Sequence, residues 1–170
     1  NNDIKVNGIL CQLPLPRHLN EELIINSIVP EKDVDAFHPH NVGKIMIGNY
    51  HMLPCTPAGV MELIDSTGVS LEGKNAVVIG RSNIVGKPIA NLMLQKGTPG
   101  DATVTICHSR TANIEEECRQ ADIIIAALGQ PHFVKENMVK EGAVIIDVGT
   151  TRVPSTETKS GFRLMGDVDY

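Results

Sequence analysis

Gly80-Arg81-Ser82-Asn83-Ile84-Val85-Gly86 joins a short apolar run, Ala76 to Ile79, to a stretch with helical spacing from Ile84 to Lys96. Such a junction can do chemistry, because the first backbone N–H groups of a helix lack intrahelical acceptors and can hold a phosphate. Pro88 falls in the first turn, where a missing N–H costs least, and marks the helix start independently of the glycines. The spacing is Gly-x-x-x-x-x-Gly, with Ser82 in the middle glycine's place, so the dinucleotide fingerprint Gly-x-Gly-x-x-Gly is half satisfied. Taken alone, the loop is either a tight strand-to-helix connection or a cofactor cradle.

The next apolar run, Val104 to Cys107, ends in His108-Ser109-Arg110-Thr111. An NAD-binding sheet places an acidic residue there for the ribose 2′-hydroxyl. Here a hydroxyl, Ser109, stands with two guanidinium candidates, Arg81 and Arg110, whose forked charged donors suit a 2′-phosphate. The predicted cofactor is therefore NADP; the alternative leaves both arginines solvated. Two later runs end in Ala126-Ala127-Leu128-Gly129-Gln130-Pro131 and Asp147-Val148-Gly149-Thr150. Small residues at carboxyl strand ends either let a cofactor approach the backbone or form ordinary turns.

Upstream, Gln12 is an uncharged donor and acceptor flanked by Cys11, Leu13 and Pro14, which suits an apolar pocket with one polar contact. Pro14-Leu15-Pro16 would also suit an extended recognition peptide, but without the surrounding proline-rich composition. Lys32-Asp33-Val34-Asp35 puts two carboxylates on one side of an extended chain, or leaves them as solvated loop acids. His38-Pro39-His40 reads as solvated loop histidines. Cys11, Cys55, Cys107 and Cys118 stand apart without a Cys-x-x-Cys pair, so no metal site and no disulfide framework is predicted. Reduced thiols point to a cytoplasmic setting, with a mitochondrial one left open.

The elements that must carry these residues follow from periodicity and punctuation. Ile4 to Leu10 has strand character and stops at the prolines. Asn20 caps a helix with Glu21 and Glu22 in its first turn and Leu23, Ile24 and Ile28 on one face. Glu31 to Pro54 reads as loop plus one short helix. Thr56-Pro57 reads as a cap and first helical position, followed by Val60, Leu63 and Ile64 at helical spacing. The apolar runs Ala76 to Ile79, Val104 to Cys107, Ile123 to Ala127 and Val144 to Val148 alternate with helical or loop segments. They predict a parallel sheet with crossover helices covering both faces.

With 170 residues and 42% apolar content, the chain can bury one core plus a small lobe. A net charge of −5 argues against a nucleic-acid surface. The apolar runs are far shorter than the ~20 residues of a membrane span, and no secretory leader is visible. The predicted class is α/β: a Rossmann-like doubly wound parallel sheet over residues 55–170, with part of a second α/β lobe over residues 1–54.

Asn7 to Pro16, Lys32 to Asp35, Pro54-Cys55-Thr56-Pro57, Gly80 to Gly86 and Gly166-Asp167-Val168-Asp169 occur in order. Together they closely resemble the bifunctional methylenetetrahydrofolate dehydrogenase/cyclohydrolase family. The resemblance implies NADP-dependent oxidation of 5,10-methylenetetrahydrofolate to the methenyl compound, hydrolysis to 10-formyltetrahydrofolate, two lobes around a cleft, and a homodimer. It implies that Gln12 and Asp35 serve the catalytic centre. Cys11, Gln12, Leu13 and Pro14 would line the folate site, with Asp35 on the pterin. Gly80, Arg81, Ser82 and Ser109 would hold NADP, with Thr150 beside it.

The sequence departs from the family at three places. The family's catalytic lysine lies in a Tyr-x-x-x-Lys motif upstream of the Gln12 loop, and no lysine here, Lys32 and Lys44 included, matches it. The family continues past the Gly166 segment into a glycine-rich loop, so the chain reads as an internal piece of a longer enzyme. Ala36 replaces a glycine after Asp35, and Thr150 an isoleucine. Two rival readings are a non-catalytic NADP-binding module and another Rossmann dehydrogenase acting on a small carbonyl compound.

Overall fold

The computed structural model describes all 170 residues. Four apolar runs form β1 (Asn75–Ile79), β2 (Thr103–Cys107), β3 (Ile123–Ala126) and β4 (Val144–Asp147), all parallel and ordered β2-β1-β3-β4. Successive strand side chains point to opposite faces, and both faces are covered. Val78, Ile123 and Ile125 pack with Val60 and Ile64 of α3 (Cys55–Ser66) and with Ile89 and Met93 of α4 (Gly86–Met93). Val77, Ile79 and Ile124 pack on the other side with Cys118 of α5 (Ile114–Gln120) and with Met138. Burying side chains of this size contributes roughly 1.5–3 kcal/mol each, which is why the central strands read as continuous apolar runs.

Helices α4 and α5 provide the first two crossovers. Between β3 and β4, where the sequence left either a helix or a loop open, there is a single 3-10 turn, Glu136–Met138. Beyond β4 the chain forms a hairpin absent from the sequence-based expectation, β5 (Thr151–Pro154) against β6 (Phe162–Met165), with the Arg152 guanidinium 4.8 Å above the Phe162 ring. Its strands are short and half polar, so no period-two signal rises above the surrounding loop.

In the first lobe, α1 (Glu21–Ser27) is capped as expected, the Asn20 carboxamide oxygen accepting from Leu23 N–H at 3.0 Å. Its expected apolar face is only partly covered: Leu23 is 69% exposed, Ile24 half-buried, and Ile28, just past the helix, buried. Ile4 to Leu10 is not a strand. Only Ile9 pairs, with Asp33, because no other stretch lies alongside to satisfy the remaining backbone groups. His38-Pro39-His40 is a helix start rather than free loop, the His38 Nδ1 accepting from His40 N–H at the head of α2 (Pro39–Met46). Helix α3 begins at Cys55, earlier than Thr56-Pro57 had indicated, since a proline anywhere in the first turn removes only an N–H that has no partner. Ala36 and Ile45 join the same apolar cluster as α3 and α4, which ties the two lobes together.

Buried or half-buried carboxylates secure the sheet's edges. At the amino edge Asp122 accepts from Lys140 Nζ at 2.6 Å and from Asn75 N–H at 2.9 Å, and the lysine bond first, then the backbone bond, holds its carboxyl below the usual range. At the carboxyl edge Asp147, ending β4, accepts the N–H groups of Gly149, Asp167 and Val168 at 2.9–3.0 Å. Asp167, fully buried, accepts those of Leu128, Gly129 and Gln130 at 2.6–3.0 Å. A Cβ at Gly149 or Gly166 would collide with Asp167 or Asp147 respectively, which explains both glycines. Asp167→Asn replaces one acceptor oxygen by a donor facing backbone donors. It is expected to lower unfolding stability by about 3 kcal/mol, measured as a lowered urea midpoint in the full-length protein; an unchanged midpoint would contradict this role.

Candidate functional site

The glycine loop begins where β1 ends. Gly80 has φ +129, and a Cβ there would strike the Ala127 carbonyl. A Cβ on Gly86 would strike the Gly80 carbonyl, so the head of α4 can approach the end of β1 only without side chains at both positions. Ser82 does a glycine's work differently: its Oγ accepts from Val85 N–H at 3.1 Å and Gly86 N–H at 3.3 Å. The helix starts at Gly86 rather than Ile84 for that reason. The N–H groups of Arg81, Ser82, Asn83 and Ile84 have no acceptor within the chain. Together with the positive end of α4 they form a cradle for an anion.

Beside this loop, the turn after β2 is closed by Thr111, whose Oγ1 accepts from His108 N–H at 2.9 Å while its own N–H donates to the His108 carbonyl at 2.8 Å. The turn exposes Ser109 and Arg110 at the carboxyl edge of the sheet. Arg81 is likewise exposed, and neither guanidinium enters an ion pair. A groove of about 870 Å³ continues from Thr111 and Ala112 to Gln130 and Phe133, between the segments that follow β2 and β3. Thr150 is exposed beyond the end of β4.

A second, smaller cleft of about 190 Å³ joins the two lobes. Cys11, Gln12 and Leu13 form one wall, Asp35 and Phe37 another, Cys55 and Thr56 at the head of α3 a third, and Ile84 and Val85 of the glycine loop close it. Pro14 is exposed and lies outside the lining. The Gln12 Nε2 donates to the Leu13 carbonyl at 3.2 Å. Burial, and then the charge of Asp33, raises the Asp35 carboxyl above the ordinary carboxylate range. No lysine lines the cleft, and the Lys32 Nζ is engaged by the carbonyls of Asn1 and Asp3 at 2.6 and 2.7 Å.

Of the residues singled out in the sequence, Cys11, Gln12, Leu13 and Asp35 come together in one cleft, and Gly80, Arg81, Ser82 and Ser109 lie along the sheet's carboxyl edge. Phe37, which also lines the cleft, was not singled out; Ile84 and Val85 had been read as part of the glycine junction and the start of a helix, without a place at this cleft, because nothing local distinguishes a residue packed into a core from one lining a cleft.

Comparison with known proteins agrees with this geometry. Residues 54–170 match the family described as tetrahydrofolate dehydrogenase/cyclohydrolase, NAD(P)-binding domain, and residues 1–35 match the catalytic domain of the same family. The bifunctional protein FolD of Bacteroides thetaiotaomicron is 60% identical over the whole chain, which spans 58% of that relative's length. The crystal structure of the bifunctional FolD dehydrogenase/cyclohydrolase from Campylobacter jejuni superposes with a TM-score of 0.89 at 48% identity, over 99% of this chain and 57% of that one. The Trypanosoma brucei enzyme, solved with NADP cofactor and an inhibitor, gives 0.90 at 42% identity, with the same coverage. The glycine-loop sheet, the cleft it shares with the Gln12 loop, and these matches agree: the chain belongs to the tetrahydrofolate dehydrogenase/cyclohydrolase family.

Proposed function

We propose that the full-length protein containing this chain oxidises 5,10-methylenetetrahydrofolate to 5,10-methenyltetrahydrofolate with NADP, and hydrolyses the product to 10-formyltetrahydrofolate. The observation that carries this reading is the shared cleft, in which Cys11, Gln12, Leu13 and Asp35 face Ile84 and Val85 of the phosphate-type loop. A folate bound by the first lobe would there meet a nicotinamide bound by the second. Within this reading the first lobe is residues 1–54 and the NADP-binding lobe residues 55–170, which begins with α3. A homodimer in the cytoplasm completes the proposal.

The residues present fit NADP. Glycines that tolerate no Cβ leave the backbone open, and the N–H groups of Arg81 to Ile84, unbonded within the chain, would donate to a phosphate. Ser109, Arg81 and Arg110 would hold the 2′-phosphate, with the adenosine in the adjoining groove and Thr150 beside the nicotinamide half. NADP supplies the hydride acceptor when bound; the chain contributes position and electrostatics. Leu10, Leu13, Phe37, Ile84 and Val85 give the cleft apolar walls that limit water around the reacting carbon. Asp35 accepts N–H donors from the pterin edge, and the Gln12 carboxamide turns from the Leu13 carbonyl to the folate, offering a donor and an acceptor. Hydrolysis needs a general acid and base. Asp35 is the one carboxyl in the lining, and no lysine stands beside it; the lysine that the family resemblance implies, in a Tyr-x-x-x-Lys motif upstream of the Gln12 loop, would come from the part of the longer relatives that these 170 residues do not cover.

Turnover of methylenetetrahydrofolate by the full-length protein, followed as NADPH formation, tests the reading directly. Gln12→Ala is expected to lower kcat by roughly a hundredfold, with NADP affinity unchanged; normal turnover would contradict the role of Gln12. In a separate titration NADP is expected to bind more tightly than NAD. Arg110→Ala should erode that preference about tenfold, and tighter binding of NAD by the unmodified protein would overturn the cofactor assignment.

A further inference from the structure

The short loop that carries Asp35 is held by two buried polar side chains that touch neither lobe's proposed ligand. Asp33 is 3% exposed and Asn41, in the first turn of α2, is 2% exposed. The Asp33 carboxylate accepts from His38 N–H at 2.8 Å and from Asn41 Nδ2 at 3.0 Å. The same Nδ2 donates its other hydrogen to the Pro30 carbonyl at 2.8 Å. Asp33 and His38 are therefore tied across residues 34–37, while Pro30 is tied to the base of the loop and Ile9 bridges to Asp33 from the Gln12 side.

Within that closed loop Ala36 sits at φ +56, fully buried. This left-handed conformation disfavours any residue with a Cβ and persists only where the surroundings impose it. The fastening also has costs. Asn41 Oδ1 is buried without a partner, so its amide is oriented wholly by the two bonds its nitrogen donates. Asp33 forms no ion pair, and its neighbour Lys32 is turned away to Asn1 and Asp3. A buried, cation-free carboxylate is an expensive way merely to close a loop.

We propose that Asp33 and Asn41 are positioning residues for the folate cleft: they fix the loop so that Asp35 presents its carboxylate to a pterin. The inference rests on the folate reading of the cleft. Asp33 is the charged neighbour of Asp35 on its own loop. Across the cleft the only titratable side chains are the thiols of Cys11 on the Gln12 loop and Cys55 on α3, and neither α3 nor the glycine loop contributes a cation to the lining. Ionised Asp35 is the form that accepts pterin N–H groups, so ligand affinity falls as pH drops through its titration. Removing the like charge favours the ionised form and moves that fall to lower pH, while burial still keeps Asp35 above the ordinary range.

The test uses the full-length protein, 5-formyltetrahydrofolate as a stable probe, and calorimetric titrations from acid to neutral pH, with NADP titrated in parallel. Asn41→Ala loosens the loop but keeps the charge. It is expected to weaken probe binding about tenfold or more without moving the acid limb. Asp33→Asn keeps the shape and removes the charge, and is expected to shift the limb to lower pH. NADP affinity should stay within about twofold in both, since its proposed contacts lie elsewhere. Unaltered probe affinity in Asn41→Ala, or an Asp33→Asn limb coincident with that of the unmodified protein, would overturn the inference. If Asp33→Asn fails to fold, Asn41→Ala decides alone. Failure of the unmodified protein to bind the probe would instead overturn the folate reading on which the inference stands.

Discussion

The distance between the end of β1 and the head of α4 governs everything else at this site. Gly86 lies against the Gly80 carbonyl so closely that no Cβ fits, and Gly80 itself lies against the Ala127 carbonyl. That contact brings the N-terminus of α4 to the carboxyl edge of the sheet and leaves the Arg81 to Ile84 amides without partners. It also sets the position of the half-buried Ile84 and Val85, which close the cleft of the first lobe. One steric constraint therefore sets both the anion cradle and the wall shared by the two proposed ligands.

Around this point the chain uses carboxylates as internal clamps more than as ion-pair partners. Asp147 and Asp167 gather six backbone N–H groups from β4's end, the Gly166 segment and the β3 loop. Asp33 gathers a backbone and a side-chain N–H around the Asp35 loop. A carboxylate can take several such bonds at once, each charge-assisted, so short loops at the ligand edge become rigid without extra secondary structure. Rigid loops suit a reaction in which the protein contributes mainly alignment.

The parallel strands were legible because β1 and β3 are buried on both faces and so carry unbroken apolar runs. The cofactor edge was legible because Gly80, Gly86 and Pro88 fill positions that few other residues can. Ile4 to Leu10 misled because strand propensity says nothing about whether a partner lies alongside. The β5–β6 hairpin was silent because its strands are only four residues long and β6 does not alternate. Asp33 was visible as half of a carboxylate pair, but its task depends on Asn41 from the following helix, a contact that spacing cannot reveal. Asp167 was visible within a motif, and its three backbone partners, far upstream in the β3 loop, were not.

A structure of the full-length protein with NADP and a tetrahydrofolate analogue bound together measures the decisive quantity, the separation between the nicotinamide carbon that accepts hydride and the one-carbon unit. With both ligands in the cleft between Gln12 and Val85, that separation should be about 3.5 Å. Ligands seated in separate clefts, with Ile84 and Val85 contacting only one of them, would contradict the shared site.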